Sequence, residues 1–120
     1  MYPAAAVNKK TGRSNNANTY LVKDILEATP RKLLLKIYDF AITNCKNGNL
    51  YKTNKAIGEL INALRFEDEE SKEIAIGLLK LYQYCQEEMR KNNTEIVLNI
   101  LTDLREAWIS IFKNENKMKD

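Results

Sequence analysis

The 120 residues of this chain include no histidine, so carboxylates and thiols are the first candidates for acid–base or nucleophilic catalysis. Histidine is the commonest general base and metal ligand, so its absence argues against a Ser-His or Cys-His nucleophile. Two adjacent carboxylate pairs, Glu69 with Glu70 and Glu87 with Glu88, could in principle supply an acid and a base. Carboxylates in such charged stretches are usually solvated. The sequence therefore predicts no enzyme.

The two cysteines, Cys45 and Cys85, lie at positions that would face the interior of amphipathic helices. We expect them to be reduced core thiols rather than a disulfide or a metal site, since no cysteine spacing fits zinc. The four glycines form neither a phosphate-binding loop nor a dinucleotide-binding fingerprint. No metal and no cofactor is expected.

The composition is that of a single soluble domain, with 44% hydrophobic residues, 29% charged residues and a net charge of +3. The longest unbroken apolar run, residues 74–79, is far too short to span a membrane. Residues 1–7 lack the basic start and the long apolar core of a secretory signal. We therefore expect a cytoplasmic protein without stable membrane insertion.

Apolar residues recur at steps of three and four, which predicts four helices at about 30–46, 50–66, 71–91 and 95–113. The first has a strong start signal, with Thr29 as N-cap and Pro30 at the first helical position. The loops between the helices are short, and no segment alternates as a strand would. The expected fold is therefore all-α, an antiparallel up-down four-helix bundle.

The ends of the chain are expected to differ from the bundle. Residues 1–19 are predicted to form a flexible polar and basic tail, 20–113 the helical-bundle domain, and 114–120 a polar C-terminal tail. A short apolar segment, with Tyr20, Leu21 and Ile25, precedes the first helix. It is expected to be a short N-terminal helix or flap that covers an apolar surface and can uncover it.

One apolar stripe per helix is expected to form the core. The stripes are Leu34, Ile37, Tyr38, Ala41 and Cys45; Ile57, Leu60, Ile61 and Leu64; Ile74, Leu78, Leu81, Tyr82, Cys85 and Met89; and Val97, Leu101, Leu104, Trp108 and Ile111.

Further apolar residues lie beside these stripes, among them Leu33, Phe40 and Tyr84. A bundle interior needs only one stripe from each helix. The surplus therefore suggests grooves for an apolar partner, such as an amphipathic helix with anchors three and four residues apart.

Three runs of residues together resemble the flagellar secretion chaperone family FliS. The run from Ala28 to Ile42 is similar to its Ala-Ser-Pro helix start followed by Tyr-Asp-Gly-Ala-Ile, with Phe40 in place of the glycine. Residues 81–84, Leu-Tyr-Gln-Tyr, and residues 101–108, Leu-Thr-Asp-Leu-Arg-Glu-Ala-Trp, resemble the two later motifs of the family.

The resemblance implies a helical-bundle chaperone that binds the disordered C-terminal region of flagellin in the cytosol. Covering that region would prevent premature polymerisation and present flagellin to the flagellar export gate, with a co-chaperone as a further possible partner. The partner-binding residues that the motifs and the surplus apolar face suggest are Tyr20, Leu21, Ile25, Leu33, Ile37, Tyr38, Asp39, Phe40, Tyr82 and Tyr84. Core packing is an equally good interpretation of Tyr38 and Tyr82.

Two other functions remain open from the sequence. The surplus apolar face could be buried in a structural homodimer, so the chain is expected to be a monomer or a homodimer. Alternatively, the basic arm with Lys9, Lys10 and Arg13 could bind nucleic acid. Acids and bases alternate along most of the chain, which favours a protein without a nucleic-acid partner.

Overall fold

Four helices account for most of the computed structural model, which describes residues 30–119, with side chains described through residue 115. They are α1 (Pro30–Lys46), α2 (Leu50–Asn62), α3 (Glu69–Arg90) and α4 (Thr94–Lys119). The predicted all-α fold is confirmed. The expected tail 1–19 and the flap with Tyr20, Leu21 and Ile25 lie outside the described residues.

Short polar turns separate the helices. Gly48 takes a positive φ of 70° after α1, and the Asn49 side chain then accepts the Lys52 N–H to cap α2. This is the turn that the Asn-Gly-Asn sequence predicts, because glycine adopts the left-handed region without a steric penalty. Asn92, with a φ of 67°, ends α3 in the same way.

Three helix ends differ from the sequence-based expectation. The second helix ends at Asn62 rather than near Phe66, and the backbone N–H of Ala63 bonds back to Glu59. The third begins at Glu69, because the Asp68 carboxylate caps it by accepting the Ser71 N–H at 2.7 Å. The fourth continues to Lys119 instead of ending near Lys113, since residues 113–119 contain neither glycine nor proline.

Contacts between helices show the up-down topology. Tyr38 contacts Tyr82, and Cys45 contacts Met89, so both pairs join α1 to α3 with the same offset of 44 residues. A constant offset means that α1 and α3 run parallel. Asp39 contacts Arg105, whereas Cys45 contacts the start of α4 at Thr94, so α1 and α4 run antiparallel.

The residues from Leu34 onward form one compact unit, and the core lies along the axis between its helices. Of the preceding unit, 1–33, the structure describes the first four residues of α1. Buried residues include Tyr38 and Cys45 from α1, Leu60 from α2 and Tyr82 from α3. These stripe positions are confirmed as core.

The prediction that two of the stripe residues lie in the core is wrong. Ile74 is 63% exposed and Ile111 is 44% exposed, although both continue the apolar spacing of their helices. Ile74 lies near the start of α3 and lines a cleft at the bundle end where α2 ends and α3 begins. No helix in the described part of the chain is both long and apolar enough to cross a lipid bilayer.

Candidate partner-binding surfaces

Two of the expected site residues lie inside the bundle. Tyr38 and Tyr82 are buried, and their hydroxyl groups are 2.5 Å apart. The indole N–H of Trp108 donates to the Tyr38 hydroxyl at 3.0 Å, so the chain of polar groups joins α1, α3 and α4. Burial raises the pKa of both tyrosines above the ordinary value, which keeps their hydroxyls protonated. In this conformation the two side chains position helices rather than meet a partner.

Asp39 lies one position from Tyr38 but points to the surface. Its Oδ1 accepts from Nε of Arg105 at 2.6 Å, and both side chains are partly exposed. This ion pair joins the outer edges of α1 and α4.

Phe40 occupies the position of the family glycine, and the structure shows where its ring lies. The side chain is 44% exposed, and the residue's backbone oxygen accepts from the Asn44 side chain at 2.8 Å. The ring therefore projects from α1 instead of filling core space. Ile37, one turn earlier, packs against the core, and Leu33 is half-buried in the first turn of α1.

One side of α3 presents apolar residues beside its core stripe. Ile74, Gly77, Leu81 and Tyr84 follow at steps of three, four and three, which places them on one helix face. Ile74 and Tyr84 are exposed, Leu81 is half-buried, and a Cβ added at Gly77 would meet no atom within 4 Å. We call these four residues the α3 face. A small residue between large apolar ones lets another backbone approach closely.

A cleft of about 470 Å³ opens at the bundle end where α2 ends and α3 begins. Its apolar lining includes Leu34, Leu60, Leu64, Ile74, Leu78 and Trp108. Tyr82 also lines it, so the cleft reaches the buried tyrosine pair, while Arg65, Ser71 and Glu115 supply polar groups. We call it the end cleft. Ile74 belongs both to it and to the α3 face, which makes the two surfaces continuous.

Within residues 30–115, the two thiols lie in the core as free cysteines. Cys45 and Cys85 are buried and free, and the Cys45 thiol donates to the Thr94 carbonyl oxygen at 3.3 Å. Among the described residues, no group of three or more His, Cys, Asp or Glu side chains could hold a metal ion.

Comparison with known proteins places the chain in a family. Residues 13–115 match the family model described as flagellar protein FliS. The chain belongs to the FliS family. This is a family of flagellar export chaperones and not of enzymes. Searches of curated proteins and of solved structures each gave no match.

The FliS motifs are brought together only in part. Tyr38, Tyr82 and Trp108, one from each motif, meet in the core, whereas Phe40 and Tyr84 project from different helices. Sequence reasoning missed Ile74 as a surface residue, because its spacing equals that of a core position. Its place in the first turns of α3, just after the acidic connection, was the available signal.

Proposed function

We propose that this FliS-family protein is a cytoplasmic export chaperone for flagellin. It would bind the disordered C-terminal region of flagellin in apolar grooves, prevent premature polymerisation and assist flagellar type III secretion. Family membership supports the flagellar role. The observation that carries the binding mode is Ile74, a large apolar side chain that is 63% exposed at the mouth of an apolar cleft.

The shape of the two surfaces suits a helical segment of the cargo. The α3 face offers apolar contacts at helical spacing, and Gly77 leaves room for close approach. The end cleft could receive apolar anchors three or four residues apart on such a helix. Disordered segments that fold on binding commonly bury on the order of 1,000–3,000 Å² and lose several kcal/mol to ordering. The complex would thus be specific but able to release its cargo.

The buried tyrosines have an indirect part in this proposal. Tyr82 lines the end cleft while its hydroxyl bonds to Tyr38, so the pair fixes the position of α3 relative to α1. Phe40 and Asp39 lie on exposed parts of α1 and are proposed as secondary contacts. Leu33 and Ile37 are proposed contacts only at their accessible edges.

Titration of the full chain with a synthetic flagellin C-terminal peptide, followed by calorimetry, tests the proposed site. Ile74→Ala should weaken binding about 10-fold, the loss typical of a well-packed interface anchor. Ile76→Ala is the matched control, because Ile76 is also exposed on α3 but lies on another side of the helix. Equal affinities of the two variants would contradict the proposed site.

Light scattering on the same samples separates a chaperone from a structural dimer. A one-to-one complex with the peptide supports the chaperone proposal, whereas a dimer that does not respond to the peptide contradicts it.

The flap is part of the proposal and rests on the sequence alone. If Tyr20, Leu21 and Ile25 occupy a groove in the free protein, they reduce the affinity for cargo by the fraction of time that they are bound. Deletion of residues 1–26 should then tighten peptide binding or leave it unchanged. A large loss of affinity would instead make this segment part of the binding site.

A further inference from the structure

The beginning of α2 carries a second exposed surface with a different character. Tyr51 is 71% exposed, the largest exposed fraction among the large apolar residues that the structure describes, and Leu50 beside it is 41% exposed. They line a shallow depression of about 690 Å³ together with Asn54, Lys55 and Arg90. We call these five residues the α2 patch. Its charged members are both cations.

The charged side chains at the start of α2 have the sign that the helix dipole disfavours there. The partial positive charge at a helix N-terminus favours acidic residues there, and α3 and α4 both have them in the first turn. The first turn of α2, like that of α1, has none, and Lys52 and Lys55 follow here instead. Neither lysine has an ion-pair partner within residues 30–115.

The aromatic and cationic groups of the patch lie together. Nζ of Lys55 is 5.7 Å from the centroid of the Tyr51 ring, and Arg90 of α3 also lines the depression. Asn54 and Gln86 exchange two side-chain-to-backbone hydrogen bonds of 3.1 Å, which fix α2 against α3 below the patch. The surface is therefore held on two packed helices.

The patch is separate from the end cleft. It lies at the first residues of α2, whereas the end cleft is lined by Leu60, Ala63 and Leu64 at and beyond the other end. Thirteen helical residues span roughly 18–20 Å. One short helix of cargo in the end cleft would leave the patch free.

We propose that the α2 patch is a docking surface for an acidic, amphipathic segment of a second partner protein. An apolar anchor of that segment would lie against Leu50 and the Tyr51 ring, and flanking carboxylates would pair with Lys52 and Lys55. The positive charge of Lys52 and Lys55 favours an acidic partner by charge complementarity. A protein segment fits better than nucleic acid, because the exposed Leu50 side chain beside Tyr51 offers aliphatic surface that suits an apolar side chain.

Two synthetic helical peptides of equal length, with the same leucine positions but with glutamate or lysine at all others, test this proposal by fluorescence anisotropy against the full chain. The glutamate peptide should bind at least about 10-fold more tightly than the lysine peptide, and added salt should weaken it. Tyr51→Ala should weaken its binding about 10-fold, and Lys55→Glu about 5-fold.

Matched controls on α3 separate the patch from general effects. Ile76→Ala removes another exposed apolar side chain, and Lys80→Glu reverses another exposed lysine. Both variants should bind the glutamate peptide as the parent chain does. Tyr51→Ala should also keep its affinity for the flagellin peptide, whereas Ile74→Ala should lose it, so the two proposals can fail independently.

Three results would overturn the docking proposal. They are equal binding of the glutamate and lysine peptides, unchanged binding by Tyr51→Ala, and displacement of the glutamate peptide by a single-stranded oligonucleotide that binds more tightly. The last result would assign the patch to nucleic acid.

Discussion

The hydroxyl groups of Tyr38 and Tyr82 are 2.5 Å apart inside the bundle, although the two residues are separated by 44 positions in the chain. Trp108 extends this pair to a third helix through its indole N–H. Each of the three residues comes from a different FliS motif. Part of each motif therefore serves to pack the helices against one another.

Removing the hydroxyl of Tyr38 or of Tyr82 should show which of the two contributes more to stability. Tyr38→Phe removes the hydroxyl that both the Trp108 N–H and the Tyr82 hydroxyl contact, so we expect a loss of about 2–3 kcal/mol in the free energy of unfolding. Tyr82→Phe leaves the Trp108–Tyr38 bond intact and should cost about 1 kcal/mol. Urea denaturation followed by circular dichroism measures both values.

Tyr84→Phe is the control for this comparison, because Tyr84 is an exposed tyrosine. This substitution should leave the midpoint of urea denaturation unchanged. Equal stabilities of the Tyr38 and Tyr82 variants would show that Tyr38 is not the central member of the network.

The ion pair between Asp39 and Arg105 should contribute little to stability despite its short distance. The Asp39 side chain is 55% exposed, and pairs of this kind are worth about 0.2–1 kcal/mol. A double-mutant cycle with Asp39→Asn and Arg105→Gln should give a coupling energy in that range, and the coupling should fall with added salt. The same cycle on Glu87 and Arg90, an exposed pair within α3, is the reference.

The effect of Asp39→Asn on flagellin-peptide binding then separates two roles. A loss of affinity well above the loss of stability would make Asp39 a partner contact. An unchanged affinity would restrict it to joining α1 and α4.

The fold was predictable because its signals are local. Pro30 marks the start of α1, the Asn-Gly-Asn turn marks its end, and the three- and four-residue spacing identifies most of the buried face. The end of α2 was less predictable, because Leu64 continues the apolar spacing past the last helical residue. Apolar residues occur both within a helix and just after its end, so their spacing alone does not locate the last helical residue.

The candidate site was less predictable because exposure depends on how neighbouring helices end. Ile74 has the spacing of a core residue, but no helix covers it at the open end of the bundle. Tyr38 and Tyr82 were equally compatible with the core and the surface, since a tyrosine hydroxyl needs only a partner, and here each supplies the other's. Such pairing between distant residues has no local signal.

Two glycines should respond in opposite ways to alanine. Gly48 has a φ of 70°, a conformation that strains any residue with a Cβ, so Gly48→Ala should destabilise the protein by about 1 kcal/mol. Gly77 lies inside α3 with open space around it, so Gly77→Ala should stabilise the protein by roughly 0.5–1 kcal/mol. Thermal unfolding of both variants measures the difference.

The binding assay gives Gly77 a second test. If cargo approaches closely at the α3 face, Gly77→Ala should weaken flagellin-peptide binding while it raises the melting temperature. A variant that is more stable and binds equally well would place the cargo elsewhere.

The buried thiols and tyrosines predict a loss of stability at alkaline pH. Burial raises the pKa of Cys85 from 9.0 to about 11, and it also raises the pKa values of Cys45, Tyr38 and Tyr82. These groups lose a proton more easily in the unfolded chain than in the folded one. Their contribution to stability is therefore complete below the unfolded pKa values of 9.0 for cysteine and 10.0 for tyrosine, and it falls as the pH rises towards the folded values.

We expect the urea midpoint to stay constant between about pH 7 and pH 8 and to decrease above about pH 9, where unfolded thiols ionise. Cys85→Ala should lower the midpoint at neutral pH, because it removes a buried side chain, but should reduce its slope between about pH 9 and pH 10. A slope that Cys85→Ala does not alter would show that the Cys85 thiol ionises as readily in the folded protein as in the unfolded chain.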